Sequence, residues 1–340
     1  MLGCILFKFE EKNMETGLKL SISNIAWTTS DDETVYGWMH ELGFFGLEIA
    51  PTRIFPEVPY DHAAEARNWA RRLYEMHGFL ISSMQSIWYG RKEKVFGTSA
   101  EREVLTEYTK RAIDFAQAID CANLVFGSPV NRQVPEGMSQ DEAMDKAISF
   151  FKPLGAYARA CGTHLSMEAN PPMYNTNFIN DTQAALELTR AVDDAGFTLN
   201  LDVGTMVANE EQGSVFFENR LIPMNDSKSD AVQELTERLN RCQIQEIHND
   251  NQSSITPKQT MVDDMDHKIS LMSGLNHVHI SEPGLKPIEH RALHGELLRY
   301  LQDSGYDRFV SIEMGNQNDL TPVREAMEYV RSVADMKQIF

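Results

Sequence analysis

Leu165-Ser-Met-Glu-Ala-Asn-Pro-Pro172 reads as an extended strand that carries one carboxylate, Glu168, to its exit and is stopped there by two prolines. Three later apolar runs end in the same manner: Leu199-Asn-Leu-Asp202, Val278-His279 and Val310-Ser-Ile-Glu313, each with a ligand-type side chain near its end. Four such endings in sequence order call for an architecture in which the strands meet.

Outward from this stretch the chain repeats one unit, a short apolar strand followed by an amphipathic helix. A strand over 19–27 precedes a helix that runs to Leu42 and opens with Ser30-Asp-Asp-Glu33, an N-cap with early acidic residues. Strands over 45–49, 80–88, 123–127 and 165–170 precede helices over 61–76, 100–118, 140–160 and 181–195. In the longest of these, Ala143, Ala147, Phe150, Phe151, Leu154 and Tyr157 recur at helical spacing. A sixth strand covers 198–202, and the pattern resumes with a strand over 276–280, a helix over 289–304, a strand over 309–313 and a helix over 322–333. The intervening residues 213–273 are rich in Asn, Asp, Gln and Ser and far exceed a βα connection, so they are expected to hold the sixth helix plus an irregular insertion.

Strands alternating with helices in this number give a (β/α)8 TIM barrel, expected as a single domain over 19–340 behind an N-terminal extension over 1–18. A doubly wound open sheet is the competing arrangement. Closure is preferred because it brings the last four strand ends to one mouth, and no Gly-x-Gly-x-x-Gly or P-loop motif favours a nucleotide fold.

The composition is that of an ordinary globular protein, 42% hydrophobic, with a formal net charge of -19 that repels polyanions, so no nucleic-acid partner is expected. No apolar run approaches the roughly 20 residues of a membrane span, and residues 2–9 lack the basic start and cleavage pattern of a signal peptide. Cys4, Cys121, Cys161 and Cys242 are isolated, which suits a reducing cytoplasm. The insertion offers a lid or an oligomer contact, so a homo-oligomer stays open.

At the C-terminal mouth of a barrel, Glu168, Asp202, His279 and Glu313 would project into one cavity. Singly, each carboxylate is an ordinary cap or loop anchor. Together, three carboxylates repel unless a cation holds them. Three oxygen donors and one imidazole suit one divalent ion, Mn2+ first, with Mg2+, Co2+ or Zn2+ as alternatives, and the lack of thiolates argues against a structural zinc site. His277, one strand-face step before His279, reads as a hydrogen-bonding core histidine. Arg132, after the fourth strand, is a candidate grip for a substrate hydroxyl, carboxylate or phosphate, with a surface ion pair as its plainer reading. Trp27 and Trp88 are candidates for an apolar wall against a sugar ring, or else core packing. Glu48 and Gln85 either line the cavity or fill barrel layers, and His290 and His294 fall on the seventh helix.

The motifs Gly46-Leu-Glu-Ile-Ala-Pro51, Phe126-Gly-Ser-Pro-Val-Asn-Arg132, Met167-Glu-Ala-Asn-Pro-Pro172, Leu201-Asp-Val-Gly-Thr-Met206, His277-Val-His-Ile-Ser-Glu-Pro283 and Ser311-Ile-Glu-Met314 together resemble the xylose isomerase-like barrels of the sugar phosphate isomerase/epimerase type. The resemblance implies a metal held by Glu168, Asp202, His279 and Glu313, with Glu168 and Glu313 flanking a substrate carbon as the catalytic pair. It also implies a small sugar-like substrate. The family's ketose 3-epimerases place a histidine where Thr205 stands, an arginine where Leu285 and Lys286 stand, and a glutamate where Tyr174 stands, so Thr205 and Lys286 occupy the substrate shell in altered form. The implied function is a metal-dependent isomerase or epimerase working through an enediolate. The alternatives are a dehydratase of a polyol ketone, an apurinic endonuclease-like phosphodiesterase, or a barrel without turnover.

Overall fold

Period-two alternation is the local rule from which the barrel follows. In β6 (Phe197–Asp202), Thr198, Asn200 and Asp202 alternate with Phe197, Leu199 and Leu201. The same step separates His277, His279 and Ser281 from Val278 and Ile280 in β7 (Leu275–Ser281). It separates Ser311 and Glu313 from Val310 and Ile312 in β8 (Phe309–Glu313), and Ser21 and Ser23 from Leu20 and Ile22 in β1 (Lys19–Ser23). Successive Cβ atoms point to opposite faces, so each strand has one polar and one apolar side.

A computed structural model describes residues 17–213 and 274–335. With β2 (Gly46–Ile49), β3 (Leu80–Met84), β4 (Leu124–Phe126) and β5 (Leu165–Glu168), these strands close in sequence order into a parallel barrel. β8 pairs with β1 through Ile312 and Ile22, which seals the cylinder. Ser21 and Ser82 hydroxyls lie 2.5 Å apart, Ser166 and Thr198 2.6 Å, and Asn276 donates to Asn123 at 2.6 Å, so the polar faces meet in the lumen. Such barrels are ordinarily filled by Val, Ile and Leu. Here the apolar core sits outside the strands instead, where Phe151 packs against both Phe126 and Phe197 with ring centroids 4.9 Å apart.

Helices follow the strands, with α1 (Asp32–Leu42), the one-turn α2 (Pro51–Ile54) directly after β2, α3 (Ala63–His77), α4 (Ser99–Ala118), α5 (Gln140–Ala160), α6 (Thr182–Val192), the short α7 (Val203–Ala208) directly after β6, α8 (Ala292–Asp303) and α9 (Thr321–Ala334). The starts of α4 and α5 are fixed by capping boxes, Thr98 with Glu101 and Ser139 with Glu142. Among the described residues no helix is long and apolar enough to cross a membrane.

Several boundaries differ from the sequence-based expectation. β1 ends at Ser23 because Asn24 turns away to accept a hydrogen bond from Ala50 N through its side chain. β3 ends at Met84, since Ser86 takes a left-handed φ of 56° that no strand accommodates. α8 begins at Ala292 because Arg291 is extended, its guanidinium engaged with Glu282. His290 therefore precedes the helix, stacked on Tyr329. The expected sixth helix and all of the insertion after Gly213 lie outside the described residues, as does the extension before residue 17.

Candidate metal centre

Strand register places the site. Glu168 pairs with Asn200, Asn200 with His277, Asp202 with His279, and Ser281 with Glu313, so the C-terminal ends of β5 to β8 deliver their polar side chains to one place. Nδ1 of His279 lies 2.9 Å from Glu168 Oε1, 3.3 Å from Glu313 Oε2 and 4.0 Å from Asp202 Oδ2. Ligand atoms of all four residues lie within 4.8 Å of one another. The imidazole is fully buried and the three carboxylates nearly so.

Three of the four members are held from outside the quartet. Asp202 Oδ2 accepts from Ser281 Oγ at 2.5 Å, and its Oδ1 caps α7 by accepting from Thr205 N at 2.6 Å. Glu168 Oε1 accepts from the Asn200 amide at 2.7 Å and Oε2 from the Asn170 amide at 3.1 Å. Glu48, fully buried on β2, lies 2.9 Å from Nε2 of His279 and 3.0 Å from Nε2 of His277.

The electrostatics ask for a cation. Burial pushes Asp202 up to about 6, with the charge of Glu168 adding to the rise, and burial pushes Glu313 up to about 7. Burial alone would strip the proton from His279, but the carboxylates of Glu48 and Glu313 outweigh it and hold the ring cationic well above its ordinary range. In the absence of a metal, a proton on Nδ1 thus supplies the positive charge that the carboxylates require. Three carboxylate oxygens and one imidazole nitrogen form a donor set that fits a divalent ion of the Mn2+, Mg2+ or Zn2+ kind.

The other residues singled out by sequence are placed elsewhere. Arg132 is 1% exposed, and its guanidinium donates to Asn170, to the Ile179 carbonyl and to the sulfur of Met167, so among the described residues it makes no surface ion pair. Trp88 donates to Thr109 and meets Phe126 and Phe150 edge-on, in the layer between barrel and helices, so it is core packing. Trp27 donates to Asp32 and lies beneath Arg53, buried likewise. Thr205 is buried, its hydroxyl donating to the Ala169 carbonyl, and serves the turn rather than a cavity. Lys286 is exposed on the loop after β7. Tyr174 is pinned from across the mouth, its hydroxyl accepting from Gly284 N at 2.6 Å. Asn170 and Asn200 were missed by sequence reading, although Asn200 stands two residues before Asp202 on the same strand face and Asn170 two residues past Glu168, just beyond the end of β5.

A closed parallel barrel with three carboxylates and an imidazole at the ends of its last four strands defines the class. The chain belongs to the xylose isomerase-like TIM barrel family, whose model matches residues 37–333. Among solved structures, 3-keto-D-glucoside 4-epimerase YcjR from E. coli, in its apo form, aligns with a TM-score of 0.58 at 15% identity, over 93% of this chain and 99% of that one. D-psicose 3-epimerase from Clostridium cellulolyticum H10 with D-tagatose aligns with a TM-score of 0.60 at 15% identity, over 94% and 100%. The IolI protein with a bound zinc atom aligns at 0.58 and 15%, over 93% and 96%. At such identities the likeness establishes the fold. No curated protein sequence matches the chain.

Proposed function

We propose that the protein is a divalent-metal-dependent isomerase or epimerase of a small, polyhydroxylated carbonyl compound. The observation that carries this reading is the Nδ1 atom of His279 enclosed by Glu168, Asp202 and Glu313 at the barrel mouth. Support for a sugar-like substrate comes from the epimerases of similar fold, and support for a metal from the zinc in IolI. A divalent cation held by the four residues supplies the charge that stabilises an enediolate when a C–H proton leaves beside a carbonyl.

The chain's own part is proton transfer and positioning. Glu168 and Glu313 are the two carboxylates at hand. One takes the proton from carbon as the C–H pair forms a C=C bond and the carbonyl π pair moves to oxygen; the other delivers a proton to the opposite face for epimerisation, or to the neighbouring carbon for isomerisation, where the hydroxyl proton passes to the former carbonyl oxygen. Mn2+ is the preferred ion because oxygen donors predominate. A cytoplasmic setting accords with the isolated cysteines. A phosphodiesterase reading finds no support at the ends of β3 and β4, where Gln85-Ser86 and Gly127-Ser128 supply neither histidine nor carboxylate.

The test is a screen of ketoses, inososes and their phosphates with Mn2+ in heavy water. Deuterium on a substrate carbon is expected, and loss of it in Glu168→Gln and Glu313→Gln. Product formed without deuterium, or full activity in both variants, would overturn the proposal.

A further inference from the structure

Arg132 is the largest of the fully buried side chains, and among the described residues no carboxylate lies within ion-pairing distance of it. A guanidinium without a carboxylate partner is a costly thing to bury. Burial pushes it down to about 9, and the charge of Glu168 works in the other direction. Its contacts show what it serves. Nη2 donates to Asn170 Oδ1 at 2.7 Å, and Asn170 Nδ2 donates to Glu168 Oε2 at 3.1 Å. Because a guanidinium only donates, the amide oxygen must face Arg132 and the amide nitrogen must face Glu168.

Two further features converge on the same relay. Nη1 of Arg132 donates to the Ile179 carbonyl at 3.3 Å, which also accepts from Asn170 N at 3.1 Å. Ile179 is β-branched yet held at a φ of 55°, a strained conformation that persists only where its surroundings fix it. At the end of β4, Gly127 leaves the space: a Cβ there would lie 2.7 Å from Glu168 Oε2 and 3.3 Å from Asn170 Oδ1.

We infer that Arg132 is a positioning residue for Glu168, fixing the Asn170 amide so that its N–H groups, and not its oxygen, face the carboxylate. With Oε2 so held, Oε1 is turned towards His279 and Asn200. An amide free to rotate would at times set its oxygen against Oε2, and the carboxylate would turn from the cluster. The inference rests on the quartet being a metal centre.

The experiment measures Mn2+ affinity of the full-length protein by titration calorimetry, with thermal melting of the metal-free protein alongside. Partners that orient a ligand carboxylate are worth about tenfold to a hundredfold in metal affinity. Arg132→Met and Asn170→Leu should each weaken Mn2+ binding by about tenfold, Arg132→Lys should recover part of the loss, and the double variant should bind no more weakly than Asn170→Leu. A purely structural arginine would lower the melting temperature and leave Mn2+ affinity unmoved. Wild-type affinity in Arg132→Met, or losses that multiply in the double variant, would overturn the inference. Should Arg132→Met fail to fold, wild-type affinity in Asn170→Leu overturns it alone. Absence of Mn2+ binding by the wild type would overturn the metal centre and the inference with it.

Discussion

Glu48 Oε2 lies 2.9 Å from Nε2 of His279, on the side of the ring opposite Nδ1 and the three carboxylates. A carboxylate only accepts, so it holds the proton on Nε2, and the nitrogen left to bind a cation is Nδ1. Burial opposes the charge on Glu48, yet His279 and His277 outweigh it and keep the carboxyl ionised far below its ordinary range. Both rings meet the same oxygen, so in Glu48→Gln the amide oxygen can still accept from both Nε2–H groups, but the negative charge that holds the His279 proton in place is gone. Mn2+ affinity should fall by about tenfold or more, and the Nε2 resonance of His279 should move in 15N spectra of the metal-free protein. Unchanged affinity with an unchanged resonance would reduce Glu48 to a space-filler.

Two glycines separate the site from the scaffold. Gly127→Ala would press a methyl group against the Oε2 atom of Glu168. That oxygen is the end of a side chain and moves at little cost to folding, so Mn2+ affinity should drop several-fold while thermal stability changes little. At Gly196 a Cβ would overlap the carbonyl oxygen of Gly155 and crowd the backbone of Arg159, neither of which can swing aside. Gly196→Ala should therefore cost stability of about 1–3 kcal/mol, as overpacking does, with metal affinity preserved in what folds. Equal effects of both substitutions on affinity would contradict the assignment.

The barrel was legible because alternation is local. Runs such as Leu199-Asn-Leu-Asp202 and His277-Val-His-Ile-Ser281 declare a strand, its polar face and its end within a few residues, and the helical spacing of Ala143, Ala147, Phe150, Phe151 and Leu154 declares α5. The gathering of Glu168, Asp202, His279 and Glu313 was legible for the same reason, since barrel closure follows from the strand count. What supports them was not. Glu48 meets His279 across 231 positions of chain and Asn200 meets Glu168 across 32, and no local pattern encodes such a pairing. The directions of Arg132 and Trp88 could not be read because both follow a strand end in a loop whose course depends on left-handed residues, Ser128 and Ser86, that carry no glycine signal.

His294 gives a stability prediction away from the mouth. Its ring is buried in α8 between Tyr329, His290, Arg291 and Glu282, and its Nδ1 lies 3.2 Å from the Tyr329 hydroxyl. That hydroxyl donates to the Arg291 carbonyl, so it accepts from Nδ1–H and leaves Nε2 without a partner among the described residues. Burial pushes the ring down from 6.5 to about 4, chiefly by desolvation. The unfolded chain therefore takes up a proton below about 6.5 that the native ring refuses until about 4. Stability is full above that window and falls as pH drops through it, by about 3 kcal/mol at most. Melting of wild type and His294→Leu at pH 7.5 and pH 5 should show a smaller acid loss in the variant. An identical loss in both would assign the acid sensitivity to other groups.

Loading the centre should itself move protons. In the metal-free protein Glu313 is raised to about 7 and Asp202 to about 6, both chiefly by burial, while Nδ1 of His279 keeps a proton well above neutrality. A cation can bind only the deprotonated donors, so binding at pH 6.5 must expel protons from Nδ1 and, in part, from the carboxylates. The sign is fixed by the direction of these shifts: raised values mean that the free site is protonated on the acid side, so affinity rises with pH until those groups have titrated. Calorimetric titration of Mn2+ at pH 6.5, in buffers of widely different ionisation enthalpy, should give observed heats that differ by the buffer enthalpy times the number of protons released. About one to two protons are expected, fewer at pH 8 as the carboxylates empty. Equal heats in all buffers would mean that the cation binds without displacing a proton, and that the three carboxylates around His279 are not its ligands.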